Sequence, residues 1–193
     1  MRLNVTTALA CATVLVAGLA GCGKDRTGGP RGTPVAVVSA SPGDTLKAGR
    51  ASVQAATSTA NSDGWVDFAH RQVHVTVAGR GASAAPALLR DPLLAVEVVR
   101  GAVDVVEYGG AEVRGASTIR YEFDVDPNRA ALGPAANGLR RPTFYADAWI
   151  DSQGRLRQVL VPANLNEARP GMNSSATPEV VTVQFFDFKQ EAR

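Results

Sequence analysis

The sequence predicts an α+β fold, a curved antiparallel sheet with short helices across its concave face. Apolar and polar residues alternate with a period of two over several stretches, the mark of strands with one buried face. Helix start and stop signals are few and bracket only short segments. Behind an N-terminal export-type segment, roughly 160 of the 193 residues remain, which is one domain by the usual size relation and enough for a substantial core. A sheet of that size, covered on one side, curls and tends to enclose an apolar space.

Residues 1–21 have the layout of an export signal: a positive charge at Arg2, a run from Ala8 to Ala20 that is apolar except for Thr13, then small residues. The run is shorter than the ~20 residues of a membrane-spanning helix. It closes on Leu19-Ala20-Gly21-Cys22, which resembles the bacterial lipobox, where the cysteine thiol is lipidated and the signal is cut just before it. Ala20 and Gly21 are slim enough for a peptidase cleft, and the thiol is a strong nucleophile. An ordinary secretory signal with an incidental cysteine is the competing reading. Cys11 leaves with the signal, so the expected mature chain has no internal disulfide and depends on its core for stability. Residues 22–34 read as a flexible tether rich in Gly, Arg and Pro, and residues 35–193 as a single domain. Loss of Arg2 takes the formal charge from +2 to +1, which points to no nucleic-acid partner. The preference for Arg over Lys, with abundant Ala, Gly and Val, is typical of GC-rich genomes, including those of actinobacteria.

In the domain, Val73, Val75 and Val77 alternate with His74 and Thr76. The clearest strand places Ile119, Tyr121, Phe123 and Val125 between Arg120, Glu122, Asp124 and Asp126. Residues 144–150 and 155–161 flank the polar turn Asp151-Ser152-Gln153-Gly154, a hairpin signal. A second hairpin is expected to turn at Gly109-Gly110, between residues 103–108 and the strand through Tyr121. Residues 180–188 form the last strand, partly apolar on both faces. The best helix opens at Asp91-Pro92 and runs to Gly101, with Asp as N-cap, Pro in the first turn and Gly past the end. Residues 128–139 hold a second short helix at most, interrupted by Gly133-Pro134.

Signals for catalysis are weak. His70 and His74 are expected on one strand and one face, ~13 Å apart, and so cannot share a metal ion, and no cysteine is left to complete a zinc site. There is no Gly-x-Ser-x-Gly elbow, and Gly79-Arg80-Gly81 lacks the remainder of a phosphate loop. Asp124 and Asp126 share a strand face, which is most simply a solvated one. No metal or cofactor is expected. The aromatic residues are better candidates, each with core packing as its competing role. Adjacent Phe185 and Phe186 must point to opposite faces.

The order of these features resembles a family. Lipobox and tether are followed by Trp65-Val66-Asp67-Phe68, a helix at Asp91-Pro92, and Gly115-Ala116-Ser117-Thr118-Ile119-Arg120-Tyr121. Then come the hairpin through Trp149 and Gly154 and a closing Val183-Gln184-Phe185-Phe186-Asp187-Phe188. Together they are similar to actinobacterial lipoproteins of the LppX/LprG type. The chain departs from that pattern in showing little helix before Gly49. The resemblance implies the LolA-like fold, a half-open antiparallel barrel whose apolar pocket holds acyl chains in transit through the envelope. It implies a palmitate-type anchor on Cys22, a place on the extracytoplasmic face of the cell membrane, and a non-enzymatic carrier or chaperone of lipid or acylated ligands. Phe68, Leu94, Val98, Tyr121, Phe123, Trp149 and Phe186 are the expected ligand contacts. The alternatives are a structural or regulatory lipoprotein with a collapsed pocket, acting through protein contacts, and a hydrolase with an unrecognised site. No oligomeric state follows from the sequence.

Overall fold

The computed structural model describes residues 32–80, 82–167 and 178–189. Eight strands form one sheet: β1 (Arg50–Ala56), β2 (Ala60–Asp67), β3 (Gln72–Gly79), β4 (Ala102–Val113), β5 (Ala116–Val125), β6 (Phe144–Asp151), β7 (Leu156–Pro162) and β8 (Val180–Lys189). Their order is β3-β2-β1-β8-β7-β6-β5-β4, and every neighbouring pair is antiparallel. The last strand thus joins the N-terminal three to the central four. This is the open, curved antiparallel sheet with few helices that the alternation predicts.

One face of the sheet carries the core. Tyr121, Phe123 and Val125 of β5 stand beside Ala148, Ala146 and Phe144 of β6, and Val159 and Val161 of β7 beside Val183 and Val181 of β8. These join Val53 and Val66 in one cluster that takes in the helices, and all of it lies within residues 37–188. A fragment beginning at Thr33 therefore holds the whole core described.

Three helices cover this face: α1 (Pro34–Leu46), α2 (Ala87–Arg90) and α3 (Leu94–Arg100). α1 packs against α3 and β4. It corrects the expectation of little helix before Gly49, and it starts at the last residue assigned to the tether. Thr33 caps it by accepting the Ala36 N–H at 3.4 Å, with Pro34 in the first turn. Its buried residues Val37, Val38, Ser41, Pro42 and Thr45 recur at helical spacing. Two of the five are polar and one is proline, which hides that stripe. Pro42 forfeits an internal hydrogen bond, and packing on the sheet offsets the loss.

The Asp91-Pro92 signal marks a break between two helices rather than one N-cap. Asp91 closes α2, and its carboxylate accepts the Leu93 N–H at 3.1 Å, turning the chain into α3. Gly101 ends α3 as expected, for a different reason. Its φ is −79°, and it is needed because a Cβ would fall 2.8 Å from both Ala130 Cβ and Val125 Cγ1. The Gly109-Gly110 turn is also corrected. Both residues lie within β4, and the hairpin turns at Arg114 (φ 48°) and Gly115 (φ 78°), between paired Val113 and Ala116. Two positive-φ residues make the tight turn that fits strand twist, while Gly109 (φ 101°) sits at a bulge. In place of a second short helix the chain forms a 3₁₀ turn at Gly133–Ala136.

The face assignment is testable. Phe123 is fully buried, whereas Phe186 is half-buried on the opposite face. Phe123→Ala should cost about 3–5 kcal/mol and Phe186→Ala roughly 1–2 kcal/mol. Urea midpoints of the two variants measure this, and equal losses would contradict the assignment.

Candidate functional site

The seven residues expected to contact a ligand divide between the two faces. Phe68, Val98, Tyr121 and Phe123 are each at most 2% exposed and belong to the core, with Leu94 packed at its margin. Phe68 sits in the β2–β3 connection with its ring 5.7 Å from that of Phe185 and 6.2 Å from that of Phe188. Burial pushes the Tyr121 hydroxyl up to about 12, and nearby Glu107 adds to the effect, so this phenol stays neutral near pH 7.

Trp149 and Phe186 lie on the convex face. Trp149 pairs with Arg120 and Gln158, one residue out of phase with the inward Tyr121–Ala148 pair. Each of these two rings is covered by an arginine: the Arg120 guanidinium is 5.4 Å from the Trp149 centroid, and Arg114 is 3.9 Å from that of Phe186. Trp65 is flanked in the same way, by Arg50 at 4.2 Å and by the His74 ring at 3.9 Å. A polar ladder, which sequence reasoning missed, crosses the same face. Arg114 donates to Gln54 and to Gln184 Oε1 (2.8 Å), Gln54 donates to Asp63 (2.8 Å), and Gln184 donates to Gln158 (2.7 Å). The period-two strands placed these residues on one face, but only the Arg114-Gly115 turn brings the arginine to them.

Two further groups escaped the sequence reading. Glu97, on α3, is 3% exposed. Arg71 donates to its Oε1 at 3.1 Å, and Arg100 Nε lies 3.0 Å from its Oε2 without hydrogen-bonding geometry. Arg71 holds a left-handed backbone (φ 52°) in the β2–β3 turn, so the pair ties that turn to the covering helix. The two histidines do not share a strand. His70 lies in that turn, where its N–H and ring both meet Asp67 (3.0 and 3.1 Å), while His74 is on β3. The His70 backbone bond holds the Asp67 carboxyl below its usual range. Asp126, just past β5, accepts the Asn128 N–H at 2.9 Å, as a turn residue does.

Among the described residues, no three metal-binding side chains converge, and no helix is long and apolar enough to cross a membrane. Shallow clefts open at several places among them. One of about 280 Å³ is lined by Asp104, Asp124, Arg141 and Glu167, and one of about 360 Å³ by Thr57, Arg80, Pro86 and Glu179. A third of about 410 Å³ adjoins Pro178 and Val180, and a fourth of about 290 Å³ lies between Ala36, Asp44 and Gly154. None of the seven expected contacts lines any of them. Leu19, Ala20, Gly21 and Cys22 lie outside the described residues.

No protein-family profile matches the chain, and no curated protein matches it. Its fold is that of LprF from Mycobacterium bovis, with a TM-score of 0.50 at 9% identity over 85% of this chain and 96% of that one. The Mycobacterium tuberculosis lipoprotein LppX is similar over 82% of this chain and 97% of its own, at 10% identity and a TM-score of 0.43. The fold assignment rests on LprF, and it agrees with the fold expected from the LppX/LprG resemblance.

The most concentrated electrostatic feature is structural and lies at the β6–β7 turn. Asp151, 3% exposed, takes the Gln153 and Arg155 N–H groups at 2.9 and 3.0 Å. It also takes Arg155 Nε at 2.9 Å and Arg157 Nε at 2.7 Å. Burial pushes this carboxyl up, but the arginine bonds outweigh it and hold the group below its ordinary 3.8. A depressed carboxylate stabilises the fold above its unfolded value, and that contribution is lost as pH falls through the folded value. Asp151→Asn should therefore cost about 3 kcal/mol at pH 7. Urea unfolding of the variant and wild type should show the gap shrinking as pH falls below about 4; a gap independent of pH would contradict the assignment.

Proposed function

We propose that the chain is a lipid-anchored lipoprotein of the bacterial cell envelope, held on the extracytoplasmic face of the membrane through Cys22. In this reading it is a non-enzymatic carrier that takes acyl chains of lipids or acylated proteins between the sheet and its helical cover. The observation that carries the reading is the makeup of that cover. α3 buries Ala95, Val96, Val98 and Val99 in the same cluster as Tyr121, Phe123 and Phe185. An acyl chain entering there exchanges one apolar contact for another. α2 and α3 lack side-chain caps at their N-termini, and α1 contains Pro42. The directed ties described between cover and sheet layer are few: the Leu156 N–H on Thr45 Oγ1 at 2.9 Å, the Arg71–Glu97 pair and, where the chain leaves α3, the Asp126 N–H on the Gly101 carbonyl at 2.8 Å. Tyr121, Phe123 and Phe185 line none of the clefts described above, so in this reading uptake requires the cover to move outward.

The complete burial of Val98, Phe123 and Phe185 in one cluster favours a second reading, in which the same lipoprotein keeps a permanently closed core and works through surface contacts with other proteins. One titration separates the two. The fragment from Thr33 should bind a fluorescent fatty acid at ~1:1. Glu97→Gln, which loosens the tie to α3, should bind faster and at least as tightly. If neither protein binds while both keep native circular dichroism, the surface-contact reading replaces the carrier.

The anchor is tested separately. In cells fed an alkyne fatty acid, the wild-type chain should take up label and fractionate with membranes, and Cys22→Ser should do neither. Equal labelling of the two would rule out the anchor on Cys22.

A further inference from the structure

The two edges of the sheet differ in kind. β4 carries Asp104, Glu107 and Glu112, and its register with β5 is interrupted twice, near the left-handed residues Asp104 and Gly109. Charges and bulges are the devices that keep an edge from pairing with other strands. β3 has neither. From Gln72 to Gly79 it contains no charged residue and no proline, and its register with β2 is unbroken. Among the described residues the sheet ends there, so half of the strand's backbone N–H and C=O groups point away from β2 with no described strand beside them. Val73, Val75 and Val77 are half-buried at the margin of the core, while His74 and Thr76 are exposed on the outer side.

We propose that β3 is a docking edge for β3 of a second copy of the chain, paired antiparallel about a twofold axis at Val75. That register sets Val73 against Val77, His74 against Thr76 and Gln72 against Ala78. It extends the valine row across the junction, opposes no like charges and keeps the two concave faces on the same side. A slip by one residue would set Arg71 against Arg80 and place His74 opposite Val77, turning the second sheet over. A slip by two residues keeps the faces but leaves Val73 opposite Gly79 or Val77 opposite Arg71, so the axis at Val75 is the one register in which all three valines face valines. That self-complementarity is the requirement for a closed pair and the reason a second copy fits this edge.

The test uses the fragment from Thr33, which contains the whole core described and no cysteine. With Val75→Cys, the two thiols meet at the axis, where facing residues lie within disulfide reach. Mild oxidation should give a covalent dimer, whereas Ser117→Cys, exposed beside the β4–β5 turn, should stay monomeric. Adding His74→Lys and Thr76→Lys opposes like charges across the axis and should abolish the crosslink. Mixing that protein with one bearing Val75→Cys, His74→Glu and Thr76→Glu should restore it as a mixed pair. Gln72→Lys with Ala78→Lys, two exposed positions that face each other one step further out in this register, serves if the first pair loses its native circular dichroism. Sedimentation of the unmodified fragment should show a dimer at about 100 µM, a concentration that leaves a micromolar pair mostly associated. A monomer at that concentration, a crosslink that survives the lysines, or equal crosslinking at position 117 would each overturn the proposal.

Discussion

The fold depends on one apolar contact, the seal between the concave face of the sheet and the helices laid across it. The sheet side presents Tyr121, Phe123 and Phe185, all fully buried; α2 adds Leu88 and Leu89, and α3 meets the sheet with alanine and valine. Small side chains on the helix let large ones on the strands fill the space between, at the density protein interiors require. The fit is close enough to dictate single residues. Gly101 is one case, because the chain leaving α3 passes Val125 and Ala130 with no room for a side chain. Such a seal is non-directional, so it can hold the cover firmly while leaving its separation from the sheet reversible.

The convex face is organised on a different principle. Trp65, Trp149 and Phe186 are too large to leave bare on an open sheet, and each lies under a guanidinium from Arg50, Arg120 or Arg114. A cation over an aromatic face is attractive, and the arginine stem shields the ring while its head stays hydrated. This gives the aromatic residues a structural role on the side away from the core. Arg50 and Arg120 serve twice, since each also pairs with a carboxylate of the neighbouring strand, Asp67 and Asp147.

The strands were largely legible because a period of two is hard to mistake: β3, β5 and the β6–β7 hairpin follow from alternation alone. What alternation cannot supply is which of two faces looks inward when both carry aromatics, and so it does not separate Trp149 and Phe186 from Phe123. Counting from Tyr121 to its partner Ala148 shows that Trp149 points the other way. α1 was missed because Ser39, Ser41, Pro42 and Gly43 mask its buried stripe. The β4–β5 turn was missed because glycine pairs attract attention, whereas here Arg114 itself adopts a positive φ. Burial of Glu97 and Asp151 was not legible at all, since charge predicts exposure unless the partners supplied by the fold are known.

Whether the cover parts from the sheet while the sheet stays folded is the central question, and native-state hydrogen exchange resolved to α1, α3, β5 and β6 addresses it directly. The account predicts that α1 and α3 amides exchange through an opening with a lower free energy than global unfolding, while β5 and β6 amides exchange only on global unfolding. If helix and strand amides share one opening free energy, cover and sheet form a single cooperative unit, and a separable cover is contradicted.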